Sequence, residues 1–166
     1  MANTESQHNN GAANNAEQPQ VNLQRIYLKD TSFESPNSPH IFAQKWLPQL
    51  EVELNTQALK VADHLHEVVL QVTVTAKLDK ETAYLAEIQQ AGMFLIKGLK
   101  EDSINQVLGA FCPNVLFPYA REAIDSVIQK GSFPALMLAP VNFDALYAKK
   151  KQQVELDQQQ VSRQTH

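Results

Sequence analysis

Residues 67–77 read Glu67-Val68-Val69-Leu70-Gln71-Val72-Thr73-Val74-Thr75-Ala76-Lys77. In an extended chain Val68, Leu70, Val72, Val74 and Ala76 fall on one face. β-Branched residues at period two define a strand with one buried side. A polar break, Asp79-Lys80-Glu81, precedes a second such run over 82–96, and two long strands with a tight connection predict an antiparallel hairpin. Upstream, Gln24-Arg25-Ile26-Tyr27-Leu28-Lys29-Asp30 and Leu50-Glu51-Val52-Glu53-Leu54 also alternate, which makes four strands. Downstream the period changes. Ser103-Ile104-Asn105-Gln106-Val107-Leu108 reads as a helix start capped by its serine, and 121–131 as an amphipathic helix closed by Gly131. Pro113 and Pro118 are expected to break or kink the helix between these pieces, and a last short helix is expected over 142–153. Strands first and helices afterwards is the α+β pattern.

The chain has 166 residues, enough for one domain, and 43% hydrophobic residues, enough for a real core. Residues 1–22 are rich in Asn, Gln and Ala and cannot bury the apolar area that ordering requires, so they are expected to be disordered. The polar, Gln-rich 151–166 is expected to be a flexible tail, leaving 23–150 as the folded domain. Eighteen acids against fourteen Lys and Arg give a net charge of −4. That balance argues against nucleic acid as the main partner, because phosphate binding needs a concentrated basic face, and against an anionic membrane surface. The first 22 residues hold no Lys, Arg or apolar stretch that would make a signal or transit peptide. The apolar run 135–141 is too short to span a bilayer and contains Pro140, so no direct membrane insertion is expected. The lone Cys112 suits a reducing cytoplasm.

Catalytic chemistry finds little footing. His64 and His66 share a strand parity, but no ligand cluster accompanies them, and a solvated turn or strand end is the better reading. Cys112 precedes a proline among apolar neighbours, as a buried and inert thiol does. Glu51 and Glu53 alternate with Val52 and Leu54 as the wet side of a strand. Gly92 and Gly98 fit neither a Walker nor a Rossmann pattern, so nucleotide and other cofactors are not expected, nor is an enzyme. Two features remain. The run over 108–147 is dense in aromatic and aliphatic residues and punctuated by Pro113, Pro118, Pro134 and Pro140; it is core, with surface to spare for a partner. Asp30, Ser32 and Glu34 share one strand face, and Leu85, Glu87 and Gln89 another; a solvated face and a partner-docking face both fit.

The sequence resembles the SecB family of bacterial protein-export chaperones. The likeness is carried by Gln24-Arg25-Ile26-Tyr27, by Ser32-Phe33-Glu34-Ser35-Pro36-Asn37-Ser38-Pro39-His40, by Glu67-Val68-Val69-Leu70 with Val72-Thr73-Val74-Thr75-Ala76, and by Gln89-Gln90-Ala91-Gly92. It continues in Leu108-Gly109-Ala110-Phe111-Cys112-Pro113-Asn114-Val115-Leu116-Phe117-Pro118-Tyr119-Ala120-Arg121-Glu122 and in Leu138-Ala139-Pro140-Val141-Asn142-Phe143-Asp144-Ala145-Leu146. The resemblance implies a four-stranded antiparallel sheet with helices on one side, assembled as a dimer of dimers. It implies an ATP-independent chaperone that holds unfolded precursor proteins and passes them to the SecA motor. By the same likeness, Trp46, Val52, Leu54, Tyr119 and Tyr147 line the client groove. Asp30, Glu34, Leu85 and Glu87 form the SecA-docking surface, with the C-terminal tail as a second contact to SecA's zinc-bearing tail; any zinc belongs to that partner. Ala86, Ile88 and Gln90 are expected where dimers meet in the tetramer.

The sequence departs from the family pattern at Lys149-Lys150-Lys151, where members often continue with apolar residues, and at Ala86, where a cysteine is common. A rival reading is a structural or adaptor oligomer whose apolar surface serves only self-assembly.

Overall fold

The computed structural model describes residues 18–164. Four long strands, β1 (Gln20–Glu34), β2 (Gln49–Ala62), β3 (Leu65–Leu78) and β4 (Glu81–Lys97), form one antiparallel sheet in the order β1-β4-β3-β2. The β3–β4 hairpin turns at Asp79-Lys80, where Asp79 takes a left-handed φ of 52° that aspartate accepts more readily than most residues. β1 begins within the stretch expected to be disordered, and residues 1–17 of that stretch lie outside the described residues.

The register sets the two faces. Val68, Leu70, Val72, Val74 and Ala76 lie opposite Gly92, Gln90, Ile88, Ala86 and Tyr84, and all of these valines, leucine and alanines are fully buried. Over this side run α1 (Glu101–Gln106), a π-helical stretch (Val107–Phe111) and α2 (Cys112–Lys130). Leu116, Ala120, Ile124 and Ile128, four apart on α2, press onto β3 and β4 and are fully buried. Burying each of the three larger side chains contributes about 1.5–3 kcal/mol. Among the described residues, no helix packs on the other sheet face.

The helical half departs from expectation in four places. α1 starts at Glu101, not at Ser103; its first turn holds Glu101 and Asp102, whose charge favours the helix N-terminus without a side-chain cap. The prolines do not break the helix. Pro113 sits in the first turn of α2, after the wider π turn in which the Cys112 N–H donates to the Val107 carbonyl, and Pro118 lies within α2. Gly131 follows α2 with an ordinary φ of −77°, and Ser132 takes the left-handed position instead (φ 65°). Glycine is needed at 131 because a Cβ there would overlap the Phe33 ring. Finally, α3 runs Phe143–Gln164, past the expected short helix and through the stretch expected to be a tail. Asn142 starts it, its Oδ1 accepting from the Ala145 N–H at 3.0 Å.

Candidate functional site: an apolar groove and an acidic sheet face

β2 is an edge strand, and α2 packs chiefly on β4 and β3. Leu50, Val52 and Leu54 face the helix side, opposite Ala76, Val74 and Val72, yet Leu50 and Val52 remain 44% and 42% exposed. A strand core that should be dry is left open along one side.

At the Leu54 end the opening deepens into a groove of about 400 Å³. Leu54, Thr56 and Ala58 of β2 form its floor, Leu108 and Gly109 of the π stretch one wall, and Tyr147 of α3 the other. A Cβ on Gly109 would overlap the Tyr147 ring, so the glycine is what lets that ring lie against the helix backbone. Phe143, one helical turn before Tyr147, anchors α3 by an edge-to-face contact with Phe117 at 5.7 Å.

At the Leu50 end stands an aromatic cluster. Trp46 lies 5.3 Å from Phe133 and stacks on Tyr84 at 6.3 Å, and Phe33 and Phe42 extend the set. Trp46 and Tyr147 therefore do not meet. They stand at opposite ends of the Leu50–Val52–Leu54 row, whose length at the usual strand rise is about 13 Å. Tyr119, half exposed on α2, is not among the residues lining the groove. Sequence reasoning missed Gly109 as a groove residue, because its role depends on a ring far along the chain.

The open sheet face gathers the four docking candidates. Glu34 lies opposite Leu85, Ser32 opposite Glu87 and Asp30 opposite Gln89, with the side chains of all six on the helix-free side. Thr73 donates from its Oγ1 to Glu87 Oε2 at 3.1 Å. One strand further, Glu53 lies opposite Thr73 and Glu51 opposite Thr75, so the acidic row crosses the sheet. Strand parity already puts Glu51 and Glu53 on the wet side of β2, but only the register sets Glu53 across Thr73 from Glu87.

Ala86, Ile88 and Gln90 need correction. They point to the helix side and are buried within the chain itself, at 0%, 0% and 3% exposure, with Gln90 Nε2 donating to the Tyr27 carbonyl at 2.9 Å. Period two does put them on the face opposite Glu87, but that face is the chain's own core, so they offer no surface to a second subunit.

The titratable groups hold structure in place. Glu67 is nearly buried on the open face, accepting from Tyr27 Oη and, at 2.7 Å, from Lys29 Nζ. Lys29 and then Tyr27 hold its carboxyl below the ordinary range, while burial and the carboxylate push Tyr27 up to about 12. Burial alone pushes the Cys112 thiol up to about 12, so little thiolate exists at neutral pH. His64 occupies the β2–β3 turn at φ 58°, whereas His66 lies on β3 with an unpaired Nδ1. Among the described residues no helix is long and apolar enough to cross a membrane.

An open apolar track on one side of a sheet and a charged, helix-free face on the other define a protein that works by binding polypeptide surfaces. The chain belongs to the SecB family: the family model for preprotein translocase subunit SecB matches residues 14–154. It is 56% identical to the protein-export protein SecB of Marinobacter nauticus over 154 residues, 92% of this chain and 93% of that one. It is 61% identical to that of Hahella chejuensis over 140 residues, 83% of this chain and 88% of that one. Among solved structures, a SecB-like chaperone of Mycobacterium tuberculosis, in complex with a ChAD peptide from an antitoxin, shares the fold with a TM-score of 0.61. That match has 16% identity and covers 73% of this chain and 90% of the other. The family is one of protein-export chaperones, not enzymes.

Proposed function

We propose that the protein is an ATP-independent holdase of the cytoplasm that binds unfolded precursor proteins and delivers them to the SecA motor. The observation that carries this reading is the uncovered side of β2, a row of apolar side chains with an aromatic group at each end. An extended client laid along Trp46, Val52, Leu54 and Tyr147 gains non-directional apolar contact at several weak points. Joined on one chain, such points hold firmly together and release one by one. Family membership and the peptide-bound relative of like fold support the same reading. SecA docks on the helix-free face through Asp30, Glu34 and Glu87, with Leu85, 37% exposed among them, as its apolar anchor. Assembly is a dimer of dimers, through surfaces other than Ala86, Ile88 and Gln90.

The test is aggregation of a chemically unfolded precursor diluted into buffer, with and without stoichiometric protein and without nucleotide. Suppression that Leu54→Asp abolishes and ATP does not change is expected. No suppression, in a tetramer that binds no apolar dye, would favour the rival in which the apolar surface serves self-assembly alone.

A further inference from the structure

We infer that Asp125 is a positioning residue for client binding: its carboxylate fixes the loop that joins α2 to α3, and so sets the two aromatic ends of the apolar row relative to each other. The inference rests on the client-groove reading above and adds a residue that does not line the groove itself.

Residues 131–142 hold neither helix nor strand. The loop leaves α2 at the aromatic cluster and enters α3 at the groove. Phe133, 5% exposed and 5.0 Å from Tyr84, fixes its start, and the groove residue Phe143 follows its end. The start is tied to α2, where the Ser132 and Phe133 N–H groups donate to the Gln129 and Ile128 carbonyls at 2.9 and 3.3 Å. The end is tied to α3 by the Asn142 cap. Between them Pro134-Ala135-Leu136-Met137-Leu138-Ala139-Pro140-Val141 has apolar side chains throughout, so only its backbone can hydrogen-bond. Among the described residues this run makes two such bonds, and Asp125 Oδ1 accepts both. The donors are the Leu136 N–H at 3.0 Å and the Met137 N–H at 3.2 Å.

The conformation held in this way is one that the loop would not keep by itself. Met137 takes a left-handed φ of 51°, where its Cβ crowds the backbone, and its side chain is 69% exposed, so little packing offsets the strain. On either side of it Leu136 and Leu138 pack against the core. Hydrogen bonds to a carboxylate are stronger than those to a neutral acceptor, and one oxygen that takes two successive N–H groups fixes the bend at that point. The carboxylate is itself well placed. Asp125 follows the fully buried Ile124 on α2, and Gln129 Nε2 donates to its carbonyl at 3.2 Å. Burial and then the Asp125 charge push the Tyr84 hydroxyl up to about 12, which sets the carboxylate near the aromatic cluster. Without Asp125 the middle of the loop is free to relax at Met137, and Phe133 and α3 lose their fixed relation. A client that reaches both ends must then order the loop as it binds, and its affinity falls.

The experiment is isothermal titration of the full chain with a reduced, carboxamidomethylated client, which cannot refold, and separately with SecA. Asp125→Ala is expected to weaken client binding about three- to tenfold and to leave SecA affinity and the sedimenting species unchanged. Asp125→Asn keeps an Oδ1 acceptor and should stay within about twofold of wild type. In the Asp125→Ala chain, Met137→Asn should recover at least half of the lost binding, because asparagine accepts the left-handed conformation that methionine resists. Trp46 is the chain's one tryptophan and lies 5.3 Å from Phe133, so its emission reports the loop directly. It should shift to longer wavelength in Asp125→Ala and return in the double variant. Client affinity and emission unchanged in Asp125→Ala overturn the inference, as does an Asp125→Asn chain that loses as much as Asp125→Ala. Client and SecA affinities that fall together, with smaller species in sedimentation, assign Asp125 to the stability of the fold and overturn it as well. If wild type binds no client, the groove reading falls and this inference with it.

Discussion

Glu67 stands on the helix-free face of β3, and Tyr27 and Lys29 of β1 reach to it across β4, tying an edge strand to the centre of the sheet. Replacing it by Gln keeps the shape but removes the charge that holds both donors. A loss of about 1–3 kcal/mol is expected in denaturant unfolding at pH 7. The carboxyl is held below its ordinary value of 4.5, so its stabilisation is complete above that pH and is lost as pH falls through the lower folded value. Wild type and Glu67→Gln should therefore converge in stability as the solution is acidified below about pH 4.5. His66 works in the opposite range. Burial, with Lys60 across the strand pair, lowers its value below 6.5, so the folded chain resists the proton that the unfolded chain accepts. Wild type should lose stability between pH 7.5 and 5.5, and His66→Phe should lose less over that window; equal slopes in the two proteins would assign the effect elsewhere.

Among the elements, the groove wall depends on a helix defect and a missing Cβ. The π stretch carries Gly109 against the Tyr147 ring, and the ring fills the space where a methyl would be. Gly109→Ala should force that ring outward and cost about 1–3 kcal/mol in thermal or denaturant unfolding, as overpacking does. Combined with Tyr147→Ala the cost should largely vanish, because the methyl then has room; additive losses would mean that the strain lies in the π turn itself. These contacts also mark what could be read in advance. Period two in 67–77 and 82–96 disclosed the hairpin and its buried side, because strand parity is local. Gly131 was legible as a helix end but for the wrong reason, since it serves Phe33, a residue from the first strand. The family likeness set Trp46 beside Val52 and Leu54. Tyr84 and Phe133 hold it at the Leu50 end of that row, and no local pattern encodes such contacts. Pro118 does not break α2 for a related reason: a helix packed along a sheet tolerates a missing hydrogen bond that an isolated helix would not.

At the scale of the molecule one sheet separates two unlike surfaces. The helix side of β2 is apolar and open, while the reverse side of β1, β4, β3 and β2 carries Asp30, Glu34, Glu87, Glu53 and Glu51. Because successive residues alternate between the sides, Glu87 and Leu54 can each be changed without touching the other's surface. Glu87→Lys should weaken SecA binding roughly three- to tenfold, and the residual affinity should depend less on salt than that of wild type. Its structural cost is the single bond from Thr73, about 1 kcal/mol, so client binding should persist. Leu54→Asp should do the reverse, placing a carboxylate on the groove floor while leaving the acidic face as it was. Measuring both variants against both ligands by isothermal titration gives four affinities, and separation predicts two losses on one diagonal. If Glu87→Lys lowers both affinities equally, with sedimentation showing smaller species, the helix-free face is needed for folding or assembly and its assignment to SecA fails. If instead Leu54→Asp also lowers SecA affinity with the oligomer intact, the sheet couples its two sides, and client occupancy itself becomes a signal to the motor.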